Sequence, residues 1–175
     1  MKSYKEIPQL TKRGSYEVHQ PLESIAATIN DWQQGKNDPL QLCPDFQRGH
    51  VWTGQQQIKF VEFLLRGGDT NNIIYFNHPN WLGNFRGDFV LVDGLQRLTA
   101  VLKFLRNELT VFGGHYKDDF EERIPFNVHL RFNVNNLKTR EEVLQWYLEM
   151  NAGSTPHTEA ELSKVRGLLL LEKKV

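Results

Sequence analysis

The sequence predicts a single α/β domain, with an α+β arrangement as the alternative. Segments with helical periodicity alternate along the chain with short apolar runs, which is the pattern of these two classes. The 175 residues are enough for one hydrophobic core, and 39% hydrophobic and 24% charged residues are ordinary for a globular domain. We expect residues 1–20 to form a partly irregular leader with room for a short strand, and residues 21–175 to form the domain.

Five segments have the apolar periodicity of helices, and several of their ends carry capping signals. The predicted helices cover residues 21–34, 54–66, 95–106 and 139–150, with a fifth that begins near residue 158. Thr139 with Glu142, and Thr158 with Glu161, have the spacing of capping boxes, which supports the last two helices. Helices therefore outnumber strands in the expected fold.

The remaining apolar runs predict strands. Residues 73–76 and 89–92 are expected to be short buried strands, and residues 40–52 a short strand that leads into a functional loop. Residues 124–134 alternate apolar and polar side chains, which is typical of a half-buried strand, here with Phe126 on the inner face. These strands are expected to form one small sheet.

Charge, cysteine content and missing motifs exclude several classes of protein. The formal net charge is zero at pH 7, which argues against coating nucleic acid by bulk charge but leaves room for a local basic pocket. Cys43 is the only cysteine, so it forms no disulfide within the chain, and we expect it to be small and buried. No G-x-x-x-x-G-K-[ST] loop and no zinc-ligand spacing is present. Because there is no signal peptide and no long apolar run, we expect a cytoplasmic protein.

The clearest candidate site is the segment Asp93-Gly94-Leu95-Gln96-Arg97, which joins a predicted strand to a predicted helix. The free N–H groups and the positive end of a helix form a natural anion site. Gly94 would let a ligand approach the backbone, and Gln96 and Arg97 would reach the same ligand from the first turn. Asp93 would hold a divalent cation, orient a water or act as a base. The alternative is structural, with Asp93 as a helix cap that pairs with Arg97.

A second Gln-Arg pair, Gln47-Arg48, lies in the loop that precedes the second predicted helix. Arg48 is again a phosphate-binding group beside an amide. The alternative is a solvated loop anchored by Phe46 and Trp52, and we expect both aromatic side chains to be in the core in either case. A third element, Asn151-Ala152-Gly153, follows a predicted helix, and its alternative is a helix cap with a polar connector.

These motifs resemble those of one protein family. Pro44-Asp45-Phe46-Gln47-Arg48 with Val51-Trp52 is similar to a proline, aromatic, Gln-Arg, Val-Trp signature. Asp93-Gly94-Leu95-Gln96-Arg97-Leu98-Thr99 is similar to an Asp-Gly-Gln-Gln-Arg-Leu-Thr signature, and Asn151-Ala152-Gly153 before Glu161-Leu162 resembles a late Asn-x-Gly element. In order and spacing they resemble the N-terminal domain of GmrSD-type restriction endonucleases, from about residue 20 to about residue 170.

The resemblance implies a ParB/sulfiredoxin-like domain with a small mixed sheet and several packed helices. It implies a bacterial or phage-encoded protein of phage defence, with a nucleoside triphosphate and Mg²⁺ as ligands. One set of residues would bind the nucleotide and its phosphates: Gln47, Arg48, Gly94, Gln96, Arg97 and Asn151. A second set would be catalytic, with Asp93 also as the metal ligand: Arg48, Asp93, Gln96 and Arg97.

One departure from the signature bears on catalysis. Leu95 stands where the signature has its first Gln, so the resemblance predicts binding more directly than hydrolysis. No nuclease domain follows within the chain, so three alternatives are open: a standalone module, a truncated form, or a subunit that works with a separate nuclease subunit or another protein partner. The leading hypothesis is a nucleotide-binding domain, an NTP-hydrolysing enzyme coupled to DNA handling. The alternatives are a metal-dependent DNA-nicking nuclease and a non-catalytic module that binds DNA or a protein.

Overall fold

A four-stranded mixed sheet carries helices on both faces, which confirms the α/β class. The computed structural model describes residue 7 and residues 16–35, 38–49, 51–151 and 159–172. The strands are β1 (Tyr16–Pro21), β2 (Ile73–Asn77), β3 (Val90–Asp93) and β4 (His129–Asn135). The helices are α1 (Leu22–Gln33), α2 (Gly54–Leu65), α3 (Leu95–Leu105), α4 (Arg140–Asn151) and α5 (Glu159–Glu172), with a 3-10 turn at Lys117–Asp119.

The order of strands across the sheet is β1-β4-β2-β3. β4 runs antiparallel to β1 and parallel to β2, whereas β2 and β3 are antiparallel. The register places Asp93, the last residue of β3, opposite Tyr75 of β2. The turn that leads from β3 into α3 therefore opens at the edge of the sheet, beside β2.

Successive side chains of a strand point to opposite sides, so the apolar side chains of β2 and β3 are shared between the two faces of the sheet. Ile74 and Leu91 join the cluster formed with α1, α2 and α3. Val90 and Val92 join a second cluster formed with α4 and α5. Full burial of one such side chain contributes roughly 1.5–3 kcal/mol, so the two clusters fix the helices against opposite faces of the sheet.

The predicted helices agree with the structure to within one or two residues at the ends that can be compared. The capping box at the start of α4 is present, because Glu142 N–H donates to Thr139 Oγ1 and Thr139 N–H donates to a Glu142 carboxylate oxygen, both at 3.2 Å. The second predicted box needs Thr158, which lies outside the described residues. A capping box that the sequence analysis did not identify, Thr53 with Gln56, begins α2.

The predicted strand over residues 124–134 is wrong in its first half. Val128 N–H donates to Pro125 O at 2.9 Å, which closes a turn there, and β4 begins only at His129. Phe126 lies in this turn with 85% of its surface exposed, instead of on the inner face of a strand. Pro125 lacks a backbone donor and favours a turn, so the apolar alternation of the sequence does not extend the ladder.

The strand expected within residues 40–52 is also wrong, because the described residues of this segment, 40–49 and 51–52, make one isolated bridge, between Gln41 and Val90, and no strand. Pro44 has no N–H to continue a ladder. Cys43 is exposed, contrary to our expectation of burial. Leu40, at 4% exposed, and the buried Pro44 hold the segment against the protein, whereas Cys43 between them is exposed.

The expected short strand within the leader is β1, whose residues pair with β4 from Tyr16 to Pro21. Residues 16–20 of the predicted leader therefore belong to the sheet of the domain. In the described part of the chain, no helix has the length and apolar character that a membrane span needs.

Candidate functional site

The turn between β3 and α3 depends on Gly94. This residue is the N-cap of α3 and has a φ of 102°, in the left-handed region that glycine adopts at little cost. A Cβ atom at this position would lie 2.7 Å from Cδ1 of Ile74 and 3.3 Å from Nη2 of Arg97. The chain thus passes in one residue from Asp93 of β3 into Leu95 of α3, and the N–H groups of the first helical turn have no carbonyl partner within the helix.

Asp93 and Arg97 form an ion pair across the first turn of α3. Arg97 Nη2 donates to Asp93 Oδ2 at 2.5 Å, and Arg97 Nη1 donates to the carbonyl oxygen of Asn71 at 3.3 Å. The side chains of Arg97 and Asp93 remain 18% and 38% exposed. The ion pair that was the structural alternative is therefore present, and both groups still face solvent.

Gln96 holds the loop that follows Arg48. Its Oε1 accepts from the backbone N–H groups of Val51 and Trp52, each at 3.0 Å, and its Nε2 donates to Gly49 O at 3.1 Å. Gln96 is only 8% exposed, so these three bonds are shielded from water. The amide that we expected to reach a ligand is thus engaged with the backbone of the loop.

The Gln47-Arg48 loop is held at its other end by aromatic side chains. Phe46 is 3% exposed and packs edge-on against Tyr147 of α4, with ring centroids 5.2 Å apart. The hydroxyl of Tyr147 hydrogen-bonds the backbone of Arg48. Gln47 Nε2 donates to Val92 O at 3.5 Å, which ties the loop to β3. Phe46 is therefore a core anchor, as predicted.

Burial raises the pKa of Tyr147 to about 12, and the charges of Asp93 and Glu161 act in the same direction. The backbone hydrogen bond and the positive charge of Arg48 oppose that rise. Tyr147 is consequently a neutral phenol at pH 7, which can hydrogen-bond the loop without adding charge to it.

Every residue predicted for the site lines one pocket of about 340 Å³. Asn151, the last residue of α4, closes one side and donates from Nδ2 to Tyr147 O at 2.7 Å. The lining includes two guanidinium groups and one carboxylate, so its net charge is positive. The predicted residues in the lining are Gln47, Arg48, Asp93, Gly94, Gln96, Arg97 and Asn151. Ala152 and Gly153 of the third motif lie outside the described residues.

Several residues of the site were not identified from the sequence. Trp52 was predicted as a core anchor, but it is half-buried against Phe60, at a centroid distance of 5.5 Å, and both rings line the pocket. Asn71 completes the lining beside Arg97. The sequence contains one signal for Tyr147. It precedes the predicted site residue Asn151 by four residues, so both side chains lie on the same face of a helix.

The pocket offers few groups for a metal ion. Among the described residues, no three His, Cys, Asp or Glu side chains come close enough to hold one. Asp93 is the one carboxylate in the described lining. This donor set fits Mg²⁺ held by one carboxylate together with ligand phosphates and water, which is the usual arrangement for that ion, rather than a site built from protein ligands alone.

Comparison with protein families identifies the chain through its central part. The model of the GmrSD restriction endonuclease N-terminal domain matches residues 29–131, which is more than half of the chain. The chain belongs to this family. Comparison with curated proteins gave no significant match, and comparison with solved structures gave none either.

Membership of the GmrSD N-terminal family places the chain in the context of restriction endonucleases and phage defence. The matched residues include both Gln-Arg loops and the turn at Gly94. Tyr147 and Asn151 lie beyond the match, on α4. The matched part of the chain thus supplies the charged residues of the pocket lining, and α4 supplies Asn151.

Proposed function

We propose that this GmrSD N-terminal domain binds and hydrolyses a nucleoside triphosphate, and that its nucleotide state controls the handling of DNA in phage defence. The observation that carries the proposal is the convergence of Arg48, Arg97 and Asp93 on one pocket at the start of α3. The pocket is positively charged and adjoins the unpaired N–H groups of a helix, which is the environment that phosphates favour.

In this proposal the phosphates lie against the first turn of α3. Arg97 and Arg48 approach from two sides and stabilise the negative charge that develops during phosphoryl transfer. Gln96 acts as a positioning residue, because its three hydrogen bonds fix the backbone next to Arg48. The half-buried rings of Trp52 and Phe60 give the nucleotide base an apolar surface for stacking.

Asp93 would serve the reaction as a ligand of Mg²⁺ or as the group that orients the attacking water. Bound Mg²⁺ supplies charge neutralisation for the phosphates. Leu95, which is 7% exposed, replaces the first Gln of the family signature and has no polar group. Asp93 is therefore the residue of the described lining that can act as an acid or base.

Phosphate release from the purified protein, measured with each of the four common NTPs and Mg²⁺, tests the proposal. We expect turnover with at least one NTP, and a loss of roughly tenfold or more in NTP affinity for Arg48→Ala. Arg66→Ala, at an exposed arginine that ends α2 and is not in the pocket lining, is the matched control and should behave like wild type. If no NTP binds or turns over, the proposal is wrong.

A non-catalytic binding module is the second candidate, and two observations favour it. Leu95 replaces a polar signature residue, and Arg97 already neutralises Asp93 at 2.5 Å. The expected result for this candidate is thermal stabilisation by an NTP without phosphate release.

A metal-dependent nicking nuclease would use the same Asp93 on a phosphodiester. Plasmid nicking with Mg²⁺ or Mn²⁺ distinguishes it, because nicking should be lost in Asp93→Ala and in Arg97→Ala. Nicking that survives both substitutions would come from a contaminating nuclease.

A further inference from the structure

A second cavity, of about 280 Å³, lies between the end of α1 and the loop that joins β2 to β3. Its walls are aromatic rings, contributed by Trp32, His78, Trp81, Phe85 and Phe89. None of these residues lines the nucleotide pocket. The cavity is therefore a separate feature of the surface, and the nucleotide proposal does not use it.

The rings form one continuous aromatic surface. Trp81 lies edge-on to both Trp32 and Phe85, with centroids 5.4 Å and 5.6 Å apart, and Trp32 and Phe89 lie 5.1 Å apart. Trp32 and Phe89 also contact the main core, which fixes the base of the cavity. Phe85 projects from the loop with 52% of its surface exposed, so the outer part of this surface is open to a ligand.

The loop that carries Phe85 is held in place by its own hydrogen bonds. The carbonyl oxygen of Asn80 accepts from Gly83 and Phe85 N–H groups, and Asn80 Nδ2 donates to Arg86 O at 2.5 Å. Phe85 has a φ of 51°, a left-handed conformation that is unusual for a bulky side chain and costs free energy. Hydrogen bonding across the loop maintains this conformation and keeps the ring over the cavity.

Two carboxylates accompany the aromatic rings. Asp31 and Asp38 line the cavity, and the described lining contains no lysine or arginine. Asp38 Oδ2 accepts from Gly87 N–H at 2.9 Å, which holds its carboxylate at the mouth of the cavity. An aromatic surface beside carboxylates attracts a cation, because the faces of the rings and the carboxylates are both negative.

Two further titratable groups, His78 in the described lining and Lys138 near it, are compatible with a bound cation. Burial lowers the pKa of His78, and Nδ1 of its ring accepts from Asn80 N–H at 3.1 Å, so His78 is neutral at pH 7. Lys138 also lowers that pKa, but its ammonium group donates to Pro79 O and to Asn80 Oδ1, and none of these three residues is in the described lining of the cavity.

We propose that this cavity binds an alkylammonium group, such as the amine of a methylated lysine side chain or of a small quaternary ammonium compound. The aromatic rings contact the methyl groups of the ligand, and Asp38 and Asp31 balance its charge. The bound group would sit apart from the phosphates of a nucleotide, so the two ligands can be held at once.

The four tryptophans allow a direct test on the whole chain. Trp32 and Trp81 line this cavity, whereas Trp52 lines the nucleotide pocket. In NMR spectra of the ¹⁵N-labelled protein, choline should shift the indole N–H signals of Trp32 and Trp81 and leave that of Trp52 in place. An NTP should instead shift the indole N–H signal of Trp52. The failure of one ligand to bind can therefore be recognised independently of the other.

The ligand series uses choline, its neutral analogue 3,3-dimethylbutan-1-ol, free lysine and trimethyllysine. We expect choline and trimethyllysine to bind at least roughly tenfold more tightly than the neutral analogue, because they carry a quaternary ammonium charge that the alcohol lacks. Tighter binding of trimethyllysine than of choline favours a modified protein as the source, and the reverse order favours a small molecule. Equal binding of choline and the alcohol would overturn the proposal, since it would show only an apolar cleft.

Two variants and a control complete the test. Phe85→Ala and Asp38→Asn should each weaken choline binding roughly tenfold, and Asp38→Asn keeps an oxygen that can accept from Gly87. Leu82→Ala, on the same loop, 71% exposed and outside the lining, should bind choline as wild type does. Unchanged binding in both Phe85→Ala and Asp38→Asn would also overturn the proposal.

Discussion

Arg97 Nη2 lies 2.5 Å from Asp93 Oδ2, one helical turn away, so the cation and the anion of the pocket are paired with each other. This pairing has two consequences. It holds the Arg97 side chain in the pocket, where Asn71 O accepts from the same guanidinium. It also means that a phosphate and Asp93 compete for Arg97, because both are anions that the guanidinium can bind.

The first prediction concerns this competition. In Asp93→Asn, the amide cannot form the ion pair, so Arg97 is released and NTP affinity measured without Mg²⁺ should stay the same or rise. Turnover should fall by roughly a hundredfold or more if Asp93 acts in the chemistry. The free energy of unfolding should change by less than about 1 kcal/mol, since the pair is partly exposed. Isothermal titration, phosphate release and urea unfolding measure the three effects.

Asp118→Asn is the control for that variant, because Asp118 forms an exposed ion pair with Lys117 outside the pocket lining. It should leave binding and turnover unchanged. Full turnover in Asp93→Asn would remove Asp93 from the reaction, whereas NTP binding without phosphate release by the wild type would favour the binding module.

The second prediction compares two glycines at helix starts. Gly94→Ala should lower the free energy of unfolding by about 1–3 kcal/mol, because alanine at φ 102° is strained and its Cβ would meet Ile74 at 2.7 Å. Gly54→Ala at the start of α2 has open space and an ordinary φ, and should stabilise by about 0.5 kcal/mol. Urea unfolding gives both values, and equal effects would mean that the turn tolerates a side chain.

The third prediction tests whether the hydrogen bonds of Gln96 hold the loop that follows Arg48. Gln96→Leu keeps the side-chain bulk but leaves the N–H groups of Val51 and Trp52 without an acceptor, which should cost about 1–3 kcal/mol of stability. The loosened loop should be cut faster by trypsin after Arg48, as mass spectrometry would detect. Gln55→Ala, at an exposed position of α2, is the control. An unchanged cleavage rate would show that other contacts hold the loop.

The fourth prediction concerns acid stability. Arg140 hydrogen-bonds both carboxylate oxygens of Asp45 at 2.7 Å, and this interaction holds the pKa of Asp45 below its usual 3.8. Because the folded pKa is the lower one, the contribution is complete above the unfolded value and is lost as the pH falls below about 4. The pair is half-exposed, so it contributes about 1 kcal/mol at most.

Asp45→Asn should therefore reduce the free energy of unfolding at pH 7 and have little effect near pH 2. Urea unfolding at a series of pH values checks this, with Asp69→Asn at an exposed loop position as the control. Because Asp45 immediately precedes the Phe46-Gln47-Arg48 loop, the same variant should also weaken NTP binding slightly. Equal destabilisation at both pH values would contradict an ionic origin.

The fifth prediction concerns Tyr147, whose pKa is raised by burial to about 12. A raised folded pKa favours the neutral phenol, so its contribution to stability is present below pH 10 and is lost as the pH rises toward 12. In an absorbance titration of the five tyrosines, the last step should disappear in Tyr147→Phe. Tyr16→Phe, at an exposed tyrosine, should keep that step.

Much of the fold followed from local patterns. Apolar spacing located α1, α2 and α3 because a helix on a core buries one face, and the Thr139–Glu142 spacing located the start of α4. The same reasoning failed for Phe126 and for residues 40–52. In both places a proline removes a backbone N–H donor, and tertiary contacts outweigh the apolar pattern of the sequence. The apolar pattern alone therefore did not give a strand.

The sequence by itself determined which residues were candidates for the site, because Asp93-Gly94 before a helix and a repeated Gln-Arg pair are local chemical patterns. Only the tertiary structure brought Gln47 and Arg48 to the start of α3, since the two loops are about 45 residues apart and meet through the packing of distant elements. The tertiary structure also gave Gln96 and Arg97 different roles. Gln96 is buried and its amide is engaged with the loop, whereas Arg97 stays exposed to the pocket, a difference set by burial rather than by residue type.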